Sequence, residues 1–107
     1  MKTKTPKQKE QKESELYLLE FYGQECPHCS RMKPIVEQVE KEQKVQFSKL
    51  EVWHSEENQS IMQKYSEILE DACGGSIGVP SFCNTKTKKG LCGEVDKKTL
   101  LEFVKGK

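Results

Sequence analysis

The sequence predicts an α/β domain on a mixed four-stranded sheet, in the order strand, helix, strand, helix, strand, strand, helix. Three observations predict it. Apolar residues recur at helical spacing in three separate stretches, short runs of β character lie between them, and a Lys/Thr turn joins the last two runs as a hairpin. A strand–helix–strand crossover implies a parallel pair and a hairpin an antiparallel one, so the sheet is mixed.

The chain has 107 residues, the size of one domain. Residues 1–14, MKTKTPKQKEQKES, hold no large apolar residue and read as a charged, flexible tail, leaving residues 15–107 as the folded domain. The tail is either a solubilising extension or a Lys-rich docking arm. Leu16 to Tyr22 is an apolar run with aromatics that stops at Gly23, as a buried strand does. Cys26-Pro27 opens the first helix, with Pro where a missing N–H is harmless. Met32, Ile35, Val36 and Val39 carry its apolar face to about Glu42, with a kink expected at Pro34.

Val45 to Trp53 alternates apolar and polar and reads as the second strand, with His54 after it as a cap or surface residue. Ser55 to Asn58 offers capping groups for a second helix, whose apolar face is Ile61, Met62, Tyr65, Ile68 and Leu69. A glycine-rich break runs from Cys73 to Gly78. Val79 to Cys83 is the third strand, Asn84 to Gly90 the turn, and Leu91 to Val95 the fourth strand. Asp96 caps a last helix carrying Leu100, Leu101, Phe103 and Val104.

Composition excludes several functions. Hydrophobic residues make up 34% and charged residues 33%, and the net charge is +1, which provides no long-range field for nucleic acid or an anionic membrane. No apolar run reaches the ~18 residues of a membrane span. No apolar segment follows the basic start, so no secretory signal is expected within this chain, a mature form whose targeting segment was removed being the alternative. These features point to a soluble monomer in a cytoplasmic or organellar compartment. Five cysteines in so short a chain are the anomaly. Their odd number forbids complete internal pairing, and the clean helical patterns argue against a disulfide-stapled scaffold, so a redox or metal role is expected for some of them.

The element order, with Cys26-Pro27-His28-Cys29 at a strand-to-helix junction, resembles the thioredoxin superfamily. The likeness extends beyond the motif. Glu20-Phe21-Tyr22 precedes the cysteines as an acid followed by two aromatics, Pro34 follows them at the family spacing, Val79-Pro80 stands where the family has its cis-proline, and Gly93 matches a late glycine. It covers about residues 16–105 and lacks the first strand and helix of full thioredoxins, nearer the glutaredoxin size. The fold it implies is three-layered, with helices on both faces of the sheet.

The resemblance implies a thiol–disulfide oxidoreductase that exchanges disulfides with protein substrates and is served by a separate redox partner. No cofactor or metal is called for. Cys26 at a helix N-terminus is the expected nucleophile, because free N–H groups and the helix dipole favour a thiolate there. Cys29, expected to be the more buried, would resolve the mixed disulfide. Pro27 and His28 are the dipeptide that tunes the couple. Pro-His is also found in the bacterial periplasmic disulfide-forming oxidases, which suggests the oxidising side. Glu20 resembles the family's buried acid that helps deprotonate the resolving cysteine, and Lys49 the lysine that pairs with it. Pro80 is expected to be cis, with Val79 offering its backbone to substrate.

Two departures stand out. Glu25 replaces the Trp that thioredoxins place before the first cysteine, which removes an apolar platform and sets a negative charge beside the thiol. The segment before Pro80 is longer than in thioredoxins and carries Cys73. The three other cysteines stay open. Cys83 and Cys92 flank the turn and form a cross-strand disulfide if it centres near Thr87-Lys88, or else are small buried hydrophobes. Cys73 is either an inert loop thiol or a third redox thiol near the active face. Two alternative functions also remain: a metal or iron–sulfur module, and a non-catalytic subunit of a larger assembly.

Overall fold

The computed structural model describes residues 17–106; the charged tail assigned to residues 1–14 lies outside them. Four strands and four helices follow one another as β1 (Leu18–Tyr22), α1 (Pro27–Gln43), β2 (Ser48–Glu51), α2 (Glu56–Lys64), α3 (Ser66–Cys73), β3 (Ser81–Asn84), β4 (Lys89–Cys92) and α4 (Lys97–Lys105). The sheet order is β2-β1-β3-β4. β1 pairs with β2 in parallel and with β3 antiparallel, and β3–β4 is the hairpin.

Alternation along β1 divides the core between two faces. Leu18 joins Met32, Val36 and Val39 of α1, Leu100 and Phe103 of α4 and Phe82 of β3. Leu19 and Phe21 face the other way, against Leu69 of α3 and Ile61 and Met62 of α2. Phe82 is fully buried between Phe47 and Phe103, with ring centroids at 5.7 and 6.4 Å in edge-on geometry. A side chain so placed contributes about 2–3 kcal/mol through burial.

Several boundaries move from the sequence expectation, each for a local reason. β2 is only Ser48–Glu51, because Phe47 donates its N–H to Glu40 Oε2 instead of to a strand partner. The expected second helix is two helices, broken at Tyr65, whose φ of −110° and ψ of 22° leave the helical region. α1 continues through Pro34 to Gln43. β4 starts at Lys89 and ends before Gly93, whose φ of +87° favours glycine. The expected caps form: Ser55 Oγ accepts from Asn58 N at 3.1 Å and Asp96 Oδ1 from Thr99 N at 2.9 Å.

The hairpin register decides the cysteine pairing. Asn84, 1% exposed, accepts the N–H groups of Lys86 and Thr87 on its side-chain oxygen and donates to the Phe103 carbonyl. This centres the turn between Lys86 and Thr87, one residue earlier than the Thr87-Lys88 centre considered above. Moving the centre by one residue moves each cross-strand partner by two. Cys83 therefore faces Gly90, and Cys92 faces Ser81. The Cys83–Cys92 disulfide is excluded: Cys92 bonds to Cys73 at the end of α3, and Cys83 remains a fully buried free thiol. Cys73 is thus neither of the two free thiols considered for it.

Candidate active site

The site lies where β1 ends and α1 begins. Tyr22 closes the strand, the Cys26 N–H returns to the Gly23 carbonyl at 3.1 Å, and Cys26 becomes the N-cap of α1 with φ −82° and ψ 117°. Pro27 takes the first helical position, where the helix needs no donor. The cap bond comes from sulfur: Cys26 Sγ accepts the Cys29 N–H at 3.3 Å. One helical turn thus brings both thiols together, unbridged, at the positive end of a 17-residue helix.

The two cysteines are enclosed almost equally, with 4% exposure for Cys26 and 7% for Cys29. The expectation that Cys29 is the more buried is therefore not met, because the Val79 loop covers Cys26. The Val79–Pro80 peptide is cis, and the Val79 carbonyl oxygen lies 4.0 Å from Cys26 Sγ. The Pro80 carbonyl accepts the N–H of Gly93 at 2.8 Å, which ties this loop to the segment after β4.

Behind the cysteines is a recess of about 260 Å³ lined by Glu20, Cys29, Lys33 and Lys49 among others. Glu20 is 5% exposed on β1, and burial pushes its carboxyl up to about 7 while the nearby Lys49 charge pulls the other way. Burial and the hydrogen bond with Cys26 push the Cys29 thiol up to about 12. Lys49 stands opposite Glu20 in the β1–β2 register, but its ammonium binds Glu40 Oε2 at 2.8 Å. The salt bridge expected between Lys49 and Glu20 is thus replaced by one to α1, since Glu40 already reaches over the start of β2 to hold Phe47 N.

Glu25 and His28, near Cys26, both have partners that are distant in sequence. His54 Nε2 meets Glu25 Oε1 at 2.7 Å, so the acid before Cys26 is paired, and His54 titrates higher because of it. His28 Nδ1 meets Glu94 Oε1 at 2.7 Å, and Arg31 also donates to Glu94. Hydrogen bonds from Arg31 and His28 hold the Glu94 carboxyl down to about 2. Glu51 clamps the approach to Cys26 from the other side, accepting the backbone N–H groups of Gln24, Trp53 and His54.

The structure brings Cys26, Cys29, Pro27, His28, Val79 and Pro80 together, with Glu20 and Lys49 behind them. It sets Cys83 within the core and Cys73 in a disulfide with Cys92. Glu40, Glu51, Arg31, Glu94 and Trp53 also shape the site and were missed. Glu51 and Trp53 close an alternating strand, a place where side chains turn toward the active edge of a parallel sheet, and that was the available signal. The partnerships of Glu40 and Glu94 left no trace in local spacing. Among the described residues, no three His, Cys, Asp or Glu side chains gather as a metal site, and no helix is long and apolar enough to cross a membrane.

Comparison with known proteins supports this fold. The family model described as Thioredoxin matches residues 2–68, more than half of the chain, through the Cys-x-x-Cys helix and on past α2. A thioredoxin from Fasciola hepatica superposes with a TM-score of 0.59 at 21% identity, covering 96% of this chain and 94% of that one. A glutaredoxin from Archaeoglobus fulgidus superposes with a TM-score of 0.57 at 22% identity, covering 88% and 91%. At that identity the two structures show the shared fold. No curated protein matches the chain. The fold is the one on which thiol–disulfide oxidoreductases are built, and with the family model matching residues 2–68, which hold Cys26 and Cys29, this chain belongs to the thioredoxin family.

Proposed function

We propose that the chain exchanges disulfides with protein substrates through a Cys26–Cys29 dithiol/disulfide couple. The observation that carries this reading is the placement of two unbridged thiols at the N-terminus of α1, with Cys29 N–H on Cys26 Sγ and the Val79 carbonyl beside it. Cys26, as thiolate, attacks one sulfur of the substrate disulfide. That S–S bond breaks, a Cys26–substrate bond forms, and the other substrate sulfur leaves as a thiolate. Cys29 then gives up its proton, attacks Cys26 Sγ and releases the second substrate thiolate. Two electrons have passed to the substrate, and the protein holds a Cys26–Cys29 disulfide. The reverse sequence delivers a disulfide.

Glu20 is the group placed to take the Cys29 proton across the recess. A carboxyl at about 7 can accept a proton at neutral pH and return it to solvent. Lys49 and Glu40 bias that carboxyl in opposite directions. Val79 receives the substrate chain through its backbone, next to the reactive sulfur. Pro27 and His28 tune the couple, with Glu94 and Arg31 as partners of His28.

The test is insulin reduction by wild type and by Cys26→Ser. Equal rates would end this reading. The potential of the Cys26–Cys29 couple then gives the direction of flow: about −270 mV marks a reductase and about −120 mV an oxidase.

A further inference from the structure

The first turn of α1 carries no acidic side chain, although Cys26 caps it and Cys29 lies in it. Helix N-termini ordinarily gather carboxylates, which the dipole favours there. In this fold one arrives from outside the helix. β4 ends at Cys92, and each of the next three residues holds a group beside the cysteine pair. Gly93 donates its N–H to the Pro80 carbonyl at 2.8 Å, and Val95 donates its N–H to Met32 Sδ at 3.4 Å. Between them, Glu94 reaches α1. Its Oε2 accepts from Arg31 Nε at 2.9 Å, its Oε1 accepts from Arg31 Nη2 at 3.1 Å, and His28 Nδ1 meets the same Oε1 at 2.7 Å.

Carboxylate and guanidinium thus meet through two parallel bonds, the arrangement in which such pairs are strongest. Yet the Arg31 side chain is 56% exposed and that of Glu94 38%, and exposed ion pairs contribute little to folding. Their effect on charge is the larger one. Arg31 is a cation in the second turn of a helix whose N-terminal end disfavours cations. Hydrogen bonds to Glu94 hold its guanidinium above the usual arginine value, the Glu94 charge adds to this, and Cys26 acts in the same direction. Arg31 therefore lies within electrostatic reach of Cys26, and Glu94 offsets its charge.

We infer that Arg31 and Glu94 set the Cys26–Cys29 couple in opposite senses. The Arg31 guanidinium stabilises the Cys26 thiolate, and Glu94 competes with that thiolate for the positive end of α1. Glu94 is a positioning residue, which touches Arg31 and His28 and not the substrate. This rests on the proposed exchange at Cys26 and adds to it how the chain sets the direction of exchange. A stabilised thiolate favours the reduced form and makes the disulfide the stronger oxidant. The other charges around the cysteines have neighbours of their own. Glu25 pairs with His54, Glu51 holds three backbone N–H groups, Lys49 binds Glu40, and Glu20 and Lys33 line the recess behind Cys29.

Equilibrium with glutathione tests the inference. The Cys26–Cys29 disulfide takes two electrons from two glutathione thiols, which leaves the dithiol and one glutathione disulfide. Glu94→Gln keeps an oxygen for Arg31 and removes the charge. In that variant the constant for this reaction should rise about threefold, the effect of one unit charge near a protein surface. In Arg31→Gln it should fall by a similar factor. The pH of half-maximal Cys26 alkylation, followed on the Cys26 peptide by mass spectrometry, should move down in the first variant and up in the second. Both shifts should remain in a His28→Asn background, which takes the imidazole out of the cluster. Both should narrow in about 1 M sodium chloride, where charge is screened. Shifts of the same sign, or a variant that does not shift, overturn the inference. So do opposed shifts that salt leaves unchanged or that vanish without His28. If wild-type Cys26 and Cys29 form no reversible disulfide in glutathione buffers, the exchange reading fails, and the alkylation profiles decide the charge pair separately.

Discussion

Two pairs of cysteines sit in this small fold, and their surroundings oppose each other. Cys26 and Cys29 lie three residues apart at the N-terminal end of α1, unbridged, with the Cys29 N–H on Cys26 Sγ. Cys73 and Cys92 lie 19 residues apart, the first closing α3 at its C-terminal end and the second ending β4, and they form a disulfide. Helix N-termini favour a thiolate and helix C-termini disfavour it. At Cys73 the helix carbonyls point toward the sulfur end, and Gly74 turns the chain away with φ +82°. The first pair stays as two enclosed thiols at the positive end of α1, and the second ties α3 to β4. Cys26 and Cys73 thus stand at opposite ends of their helices, the first where the helix favours a thiolate and the second where it does not.

The largest effect that could break the comparison is chemical. Cys26→Ser should lower kcat/KM for insulin reduction on the order of a thousandfold or more, since the nucleophile is lost. The Cys73→Ser/Cys92→Ser double variant should keep exchange within a few-fold of wild type. If both variants lost exchange alike, the two pairs would not be separate in function. The double variant should instead lose stability, about 3 kcal/mol from the loop entropy of a 19-residue closure, measured by denaturant unfolding.

A smaller effect sharpens the active pair through its acid. Glu20 is raised from 4.5 to about 7 in the folded state. A raised carboxyl contributes its stability below the unfolded value and loses it as pH rises through the folded one. Wild type should therefore lose about 2–3 kcal/mol relative to Glu20→Gln between pH 4 and pH 8. Unfolding curves across that range check it, and a pH-independent difference would count against a buried, titrating Glu20. The same variant should slow the step in which Cys29 resolves the mixed disulfide.

The smallest effect concerns Cys83, the thiol that belongs to neither pair. Its burial pushes it up to about 11, and it should resist alkylation in the native protein. Cys83→Ala should cost about 1 kcal/mol of stability through the sulfur contacts it removes, with exchange unaffected. Loss of exchange in this variant would mean that the second core cluster is coupled to the active site.

Much of this architecture was legible beforehand. The order of strands and helices followed from periodicity, the N-cap role of Cys26 from the Cys-Pro junction, and the place of the cis bond from the likeness of Val79-Pro80 to the thioredoxin cis-proline. These are local properties, set within a few residues along the chain. The single second helix was misread because Tyr65 fits the apolar stripe, while its backbone departs from the helix to let α3 turn onto the sheet.

The fold and the place of the Cys26–Cys29 motif at the start of α1 were thus readable in the sequence, because both depend on spacings of two to eight residues. Tertiary structure alone decided the partners: Cys73 with Cys92, Lys49 with Glu40, His28 with Glu94, His54 with Glu25 and the Trp53 ring on Gly23. Most of these contacts join residues that are far apart in sequence, and all depend on strand register and on the set of a helix or loop against the sheet. A one-residue shift of the β3–β4 turn would have exchanged one disulfide for another, and that register was fixed by a single buried asparagine at position 84 bonding both its turn and the last helix.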